Sequence, residues 1–390
     1  MSMRNWLFFV FFSQPVALGA WLPRIPEVQE KLALSPAELA IALIGAPIGT
    51  LSSLLVAGRI GDWLGAQKTM MIFYPLFFLA MTLPFLANSQ LTLMLSLAVM
   101  GSTLSLLELG MNVSADLYEK QRKKLVMSRA HGLWSLGLMT GTIVGSAAAA
   151  IRFDAFLMEV AIFAVLILPS LYAVKQVKLD QPVLEPSTIT SGKSGFTMPH
   201  MLLLGICLFT FGTTLTEGAV ADWAAIFMRD VHSAEPGFAG LSLTVFTMAA
   251  ALTRLTGDKL REHFATSDLA RTLAIVGVIG LGVIYFAPNA FVALFGFALL
   301  GCGIALGFPL AVTAAANAPG KSSASNVAVL TFLALSGFLV GPISIGFVAE
   351  ATNIKIGLMI ITPMLVISAV LASTLKPKSN QLETHESQTT

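Results

Sequence analysis

The stretch Gly58-Arg-Ile-Gly-Asp62-Trp-Leu-Gly65-Ala-Gln-Lys68 lies between two long apolar runs, residues 37–58 and 69–87. Each run has about the twenty residues that an α-helix needs to cross a hydrocarbon core of about 30 Å. Three glycines with one acid and two bases between such runs predict a tight polar turn where the chain leaves a membrane and re-enters it. The fold therefore follows from how many such runs the chain contains.

The amino-acid composition is that of a membrane protein. Of its 390 residues 56% are hydrophobic and 11% are charged, whereas a soluble domain carries about 25% charge. Apolar runs recur from end to end and predict an all-α membrane protein with twelve transmembrane helices. The expected spans are residues 4–23, 37–58, 69–87, 91–117, 128–150, 154–174, 200–228, 238–257, 268–287, 290–316, 325–349 and 354–375.

Three landmarks recur at one offset and divide the chain into two homologous halves. Gly61-Asp62 returns as Gly257-Asp258 after 196 residues, Trp21 as Trp223 after 202, and Gly137-x3-Gly141 as Gly337-x3-Gly341 after 200. A duplicated unit predicts two six-helix bundles related by pseudo-two-fold symmetry around a central cavity. The expected divisions are an N-terminal bundle, 1–174, a cytoplasmic linker, 175–199, a C-terminal bundle, 200–376, and a cytoplasmic tail, 377–390.

The distribution of basic residues predicts the orientation. Lys and Arg are retained on the cytoplasmic side during insertion. If the N-terminus is inside, the alternating loops place 18 of the 23 Lys and Arg in the cytoplasm, Arg254 among them. The sequence therefore predicts a multi-pass protein of the inner membrane with both termini cytoplasmic.

The turn after the second span resembles the signature G-x3-D-x2-G-x2-K of the major facilitator superfamily. Its glycines allow close helix approach, and Asp62 can meet a helix N-terminus or an arginine to lock a cytoplasmic gate. Trp63 stands where the family usually has a base, which predicts a weaker charge network. The expected gating residues are Gly58, Asp62, Gly65 and Lys68, with Gly257 and Asp258 in the second copy.

The fourth span places Glu108 and Asn112 at i and i+4 on one helical face. A carboxylate facing lipid would cost at least about 2.5 kcal/mol, so Glu108 is expected to face a wet cavity or a partner. One interpretation is a protonatable coupling group beside a substrate ligand; the other is a structural acid satisfied by Asn112 or a serine. The pattern resembles fucose permease, which implies a proton-coupling glutamate and a sugar-lining asparagine.

The fifth span combines a packing stripe with two cavity candidates. Gly137, Gly141 and Gly145 predict close approach of another helix. His131 and Trp134 point elsewhere; the fucose permease comparison implies that both face the cavity. The alternative for His131 is that it lies at the membrane interface, near the cytoplasmic end of the helix. Trp134 is suited to stacking on a sugar face or an apolar ring.

The seventh span contains the richest polar cluster. Glu217 is a second candidate for a proton or substrate carboxylate, with the alternative that it pairs with Arg24 across the two halves. Asp222 is expected near the outer surface as an interfacial or gate residue. Arg24 lies between two prolines at the outer end of the first span, where the fucose permease pattern has an aspartate. The predicted substrate-binding or proton-coupling residues are seven: Glu108, Asn112, His131, Trp134, Glu217, Asp222 and Arg24.

The resemblance to the bacterial YbjJ-like branch of the superfamily covers nearly the whole chain. It is carried by the segments around Glu108, His131 and Glu217, by Gly307-Phe-Pro309 and by Phe338-Leu-Val-Gly-Pro342. It implies a transporter fold with a poorly defined substrate.

The predicted function is proton-coupled uptake of a small polar solute such as a sugar, by alternating access. The alternative is a proton antiporter that exports a drug or metabolite. No nucleotide motif is present, so ATP is not the driver. We expect no enzyme activity, no cofactor, no metal site and no nucleic acid partner; the expected partners are solute, protons and the bilayer, and the expected state is a monomer.

Overall fold

The computed structural model describes residues 2–179, 200–319 and 323–375. In this part of the chain, helices follow one another and no strand occurs. Two short 3-10 helices, Leu22–Arg24 and Ala372–Leu375, join or end them. The α-helices are α1 (Met3–Trp21), α2 (Ile25–Lys31), α3 (Pro36–Leu43), α4 (Gly45–Leu86), α5 (Gln90–Arg122), α6 (Met127–Ala150), α7 (Ala155–Gln176), α8 (Met201–His232), α9 (Pro236–His263), α10 (Thr266–Phe286), α11 (Ala290–Ile304), α12 (Gly307–Ala316), α13 (Ser323–Ala351), α14 (Ile354–Met359) and α15 (Thr362–Leu371).

These helices make up twelve membrane spans, some of which are interrupted. Eleven apolar segments of the described residues are long enough to cross a membrane, and one of them, Pro36–Leu86, has 51 residues. A straight helix of that length would extend about 76 Å, more than twice a hydrocarbon core. It is divided at Gly65, whose φ of 73° and ψ of 159° lie outside the helical region. The predicted all-α fold with twelve transmembrane helices is confirmed, and the predicted turn lies at this break.

The repeated glycine stripes pack equivalent helix pairs in the two halves. A Cβ on Gly141 of α6 would collide with the carbonyl oxygen of Val16 in α1. A Cβ on Gly341 of α13 would lie 2.6 Å from the carbonyl oxygen of Leu215 in α8. The pairs α1–α6 and α8–α13 are the first and fifth spans of each half, as the sequence repeat requires.

Several contacts join the two bundles at one face of the molecule. We call the face that carries Met3 and Leu375 the terminal face, and the opposite one, which carries the loop at residues 151–154, the distal face. At the distal face Arg229 of α8 donates to the carbonyl oxygen of Pro26 (3.1 Å), to Gln29 Oε1 (2.8 Å) and to Glu30 Oε1 (3.1 Å). These contacts, here named the distal seal, hold α2 against the C-terminal bundle.

Two further contacts support the distal seal. The Glu350 carboxylate of α13 accepts from the backbone N–H of Ala37 (3.3 Å) at the start of α3. A Cβ on Gly240 of α9 would meet Pro23 at 2.8 Å, so these backbones also approach closely. The space between the bundles is therefore closed on the distal side.

Candidate functional site

A cavity of about 320 Å³ lies between the two bundles. Helices α1, α3, α4, α5 and α6 line it from the N-terminal half, and α8, α9 and α13 from the C-terminal half. Its walls are mostly Leu, Ile, Ala, Pro and aromatic side chains. Both halves contribute to one space, so a solute bound there contacts both.

Four of the residues predicted from the sequence meet in this cavity. Glu108, Trp134, Glu217 and Asp222 all line it. Trp134 lies beside Glu108, and its indole N–H donates to Gln14 Oε1 (2.8 Å) on α1. That hydrogen bond fixes the plane of the Trp134 ring at the cavity wall. The cavity thus contains carboxylates from both bundles and one oriented aromatic ring.

Glu217 pairs with an arginine of its own bundle. Arg254 Nη2 lies 2.9 Å from Glu217 Oε1, so the predicted alternative of a Glu217–Arg24 pair is wrong. The assignment of Arg254 to a cytoplasmic loop is wrong as well, because α9 continues to His263 and Arg254 lines the cavity. Without Arg254, the predicted cytoplasmic loops still contain many more Lys and Arg than the predicted outer loops.

Arg254 is held by two further acceptors. Its Nε donates to the carbonyl oxygen of Ala305 (3.0 Å) and its Nη1 to Ser135 Oγ (3.2 Å) in the other bundle. The helical partner of the Ala305 carbonyl would be the N–H of residue 309, which is a proline and has none. The break between α11 and α12 therefore supplies the acceptor that orients Arg254.

Asp222 lies farther from the end of its helix than the sequence predicted. The seventh span was expected to end at residue 228, but α8 continues to His232, ten residues beyond Asp222. At a rise of about 1.5 Å per residue this places Asp222 about 15 Å from the distal end of the helix. It is a cavity residue, and its predicted role as an interfacial or gate residue stays a prediction.

Three predicted site residues do not line this cavity. Arg24 is 2% exposed and donates to Glu27 Oε2 (2.7 Å) and to the carbonyl oxygen of Phe153 (2.7 Å) within the N-terminal half. His131 packs edge-on against Phe11, with ring centroids 5.5 Å apart. Asn112 is half-buried on α5, one turn from Glu108. The structure therefore brings together four of the seven predicted binding or coupling residues.

The comparisons with known proteins agree with this architecture. The family model described as Major Facilitator Superfamily matches residues 7–232, more than half of the chain. The chain belongs to the Major Facilitator Superfamily. An uncharacterized MFS-type transporter of Yersinia pestis is 26% identical over 346 residues, covering 89% of this chain and 88% of the relative. Membrane protein MosC of Rhizobium meliloti is 27% identical over 365 residues, covering 93% and 87%.

Solved structures of several transporters share the fold. The nucleoside transporter NupG has a TM-score of 0.70 at 13% identity, covering 96% of this chain and 99% of its own. A bacterial homolog of the human lysosomal transporter Spinster has a TM-score of 0.71 at 14% identity, covering 95% and 96%. The fucose transporter FucP in its outward conformation has a TM-score of 0.64 at 16% identity, covering 96% and 98%. At these identities the likeness concerns the fold.

The superfamily signature occupies the terminal face. Gly65 has the left-handed φ of the turn, and its carbonyl oxygen accepts from Thr69 Oγ1 (2.8 Å). Asp62 is exposed and has no side-chain partner among the described residues. In the second copy, Gly257 packs against Leu306, while the Asp258 side chain lies outside the described part. The gating roles of Gly58, Asp62, Gly65, Lys68, Gly257 and Asp258 stay predictions.

Sequence reasoning missed several cavity residues, Arg254 above all. A lone cation inside the expected span 238–257 was an available signal, because a charge in a transmembrane segment is costly unless it is paired. Ser135, and Gln14 behind Trp134, gave no such signal, since polar residues of this size are common in helices. Phe246 and Phe338 are two further aromatic residues of the lining; in the sequence they cannot be told from lipid-facing residues.

Proposed function

We propose that this superfamily member is a proton-coupled secondary transporter that moves a small organic solute by alternating access. The observation that carries the proposal is the central cavity, which is closed by the distal seal and lined by Glu108 from one bundle and Asp222 from the other. Protonatable groups in such a cavity are where a proton and a solute can influence each other's binding. The chain works as a monomer in the bilayer, with protons as the coupling ion.

Two substrate classes follow from different observations. Uptake of a small polar solute such as a sugar follows from the resemblance of Glu108 and Asn112 to the fucose permease pattern. Export of a drug or metabolite in exchange for protons is the second candidate, and the mostly apolar cavity lining favours it. The YbjJ-like branch is the subgroup that we propose for the chain, on the motifs quoted above.

Reconstitution tests coupling and its direction together. Purified protein in liposomes that contain a pH-sensitive dye would be exposed to hexoses, polyols and quaternary ammonium compounds in turn. Symport predicts that an inward solute gradient acidifies the lumen, whereas antiport predicts that it makes the lumen alkaline. No change in lumenal pH with a solute that is measurably transported would refute proton coupling.

The proposed orientation places the terminal face in the cytoplasm of the cell. It rests on the basic asymmetry, and the linker around Ser191 lies outside the described residues. With Cys207 and Cys302 replaced by serine, a cysteine at Pro288 in the distal loop should react with an impermeant maleimide on intact cells. A cysteine at Ser191 should react only after the cells are opened; labelling of Ser191→Cys from outside would refute this topology.

A further inference from the structure

We propose that the transported solute is an amphipathic organic cation, held by the carboxylates of Glu108 and Asp222 and by the apolar and aromatic walls around them. This inference rests on the proposed function, because it names the substrate class of the same cavity.

The charges of the cavity favour a cation. Its ionisable lining residues among those described are Glu108, Glu217, Asp222 and Arg254, three acids and one base. The base is already hydrogen-bonded within the protein, since Arg254 donates to Glu217, to Ser135 and to the carbonyl oxygen of Ala305. Glu108 and Asp222 form no ion pair within the described part of the chain. An anionic solute would meet three carboxylates and no free cation.

The hydrogen-bonding groups of the wall do not suit a sugar. A sugar needs a partner for each of its several hydroxyls, because an unpaired polar group in a dry site is costly. The hydroxyls of Thr50, Ser135 and Thr247 donate to the carbonyl oxygens of Gly101, His131 and Leu243. The Trp134 N–H is taken by Gln14. Few side-chain donors remain, whereas the two carboxylates are strong acceptors.

The aromatic lining complements the carboxylates. Trp21, Trp134, Phe246 and Phe338 line the cavity from α1, α6, α9 and α13. Aromatic faces attract organic cations and also cover apolar groups. A solute with a cationic head and an apolar body would satisfy both kinds of wall, whereas a neutral apolar solute would leave the carboxylates without a partner.

The two carboxylates lie in different bundles and at different depths. Glu108 is 18 residues from the distal end of α5, and Asp222 is ten from the distal end of α8. At about 1.5 Å per residue these positions are about 27 Å and about 15 Å from the distal ends of their own helices. A cation can therefore pass between two acceptors on its way through the cavity.

The test compares two ions of the same shape and opposite charge, tetraphenylphosphonium and tetraphenylborate. Equilibrium binding to the purified wild-type protein should be saturable for the phosphonium cation and absent for the borate anion. The double variant Glu108→Gln with Asp222→Asn should bind the cation at least about tenfold more weakly, because it loses both charged acceptors. Asp116→Asn is the matched control, since Asp116 lies on α5 but pairs with Lys120 outside the cavity; its binding should be unchanged.

The comparison of the two ions in the wild-type protein requires no variant, so a folding defect cannot decide the result. Absent phosphonium binding, equal binding of the borate, or full binding by the double variant would each overturn the inference. If a sugar instead drives proton movement in the liposomes, the substrate class is wrong while the transport function stands. If a solute is transported without any movement of protons, the proton coupling of the proposed function fails.

Discussion

Arg254 and Glu217 form an ion pair inside the cavity, with Arg254 Nη2 2.9 Å from Glu217 Oε1, and the same guanidinium reaches Ser135 of the opposite bundle (3.2 Å). One side chain thereby neutralises an acid of its own bundle and contacts the other bundle. Any motion that separates α6 from α9 must break the contact to Ser135. The pair is therefore placed to sense the relative position of the two halves.

A double-mutant cycle measures this pair. Arg254→Gln leaves Glu217 without its cation, so the variant should be less stable than the double variant Arg254→Gln with Glu217→Gln. We expect a coupling free energy of about 0.5–3 kcal/mol, as for residues in direct contact. The exposed pair Asp116–Lys120 is the comparison, with an expected coupling below about 1 kcal/mol. Equal couplings in the two cycles would contradict a special role for the cavity pair.

Glu108→Gln tests proton coupling. The substitution keeps the shape of the side chain and fixes its neutral state. Proton-driven accumulation should fall at least about tenfold, as when a positioned proton-transfer group is removed, while exchange of solute across a membrane without a gradient persists because Asp222 remains. Uptake and exchange would be measured in the same liposomes, with Asp116→Asn as the control. Uptake at the wild-type rate would remove Glu108 from the mechanism and leave Asp222, the other unpaired cavity carboxylate, as the next one to test.

Arg229→Ala should weaken the distal seal, because the one side chain of Arg229 donates to Pro26, Gln29 and Glu30 of the other half. With Cys207 and Cys302 replaced by serine, a cysteine at the cavity residue Ala221 should react faster with an impermeant maleimide added on the distal side. Arg152→Ala is the matched control, since Arg152 is an exposed arginine of the same face. The same acceleration in both variants would show that Arg229 does not hold the seal.

Gly141→Ala should destabilise the N-terminal bundle. The added methyl would collide with the α1 backbone at Val16, and overpacking of this kind costs about 1–3 kcal/mol. At Gly282 in α10 a methyl meets no atom within 4 Å, so Gly282→Ala should leave stability unchanged or raise it by up to about 1 kcal/mol. Heating with a thiol-reactive dye reports unfolding, because Cys207 is fully buried. Equal melting temperatures would contradict the close α1–α6 packing.

Asp62→Asn should slow transport without weakening solute binding. Asp62 is exposed at the terminal face, away from the cavity, so its effect should fall on the change of conformation. Binding at equilibrium and transport rate would be measured on the same preparation. Glu262→Gln, another exposed acid at the terminal end of α9, is the control. A loss of binding affinity in Asp62→Asn would argue against a gating role.

The sequence by itself determined the solvent, the number of spans and the duplication. These follow from local properties: a run of about twenty apolar residues has to cross the bilayer as a helix. Gly141 and Gly341 likewise marked close packing, because small residues are what allow two backbones to approach. Glu108 and Glu217 stood out for a similar reason, since an acid in a transmembrane span needs a wet or paired environment.

Only the tertiary structure decided which of these acids share a cavity and with which partners. Glu217 pairs with Arg254 and not with Arg24, and Asp222 lines the cavity. These contacts depend on how each helix is rotated about its axis, how long it is and which helices pack against it. The orientation of Arg254 depends on the free carbonyl of Ala305, which lies 51 residues away in the sequence. Such contacts join helices that are distant along the chain, and the periodicity of a single helix carries no information about them.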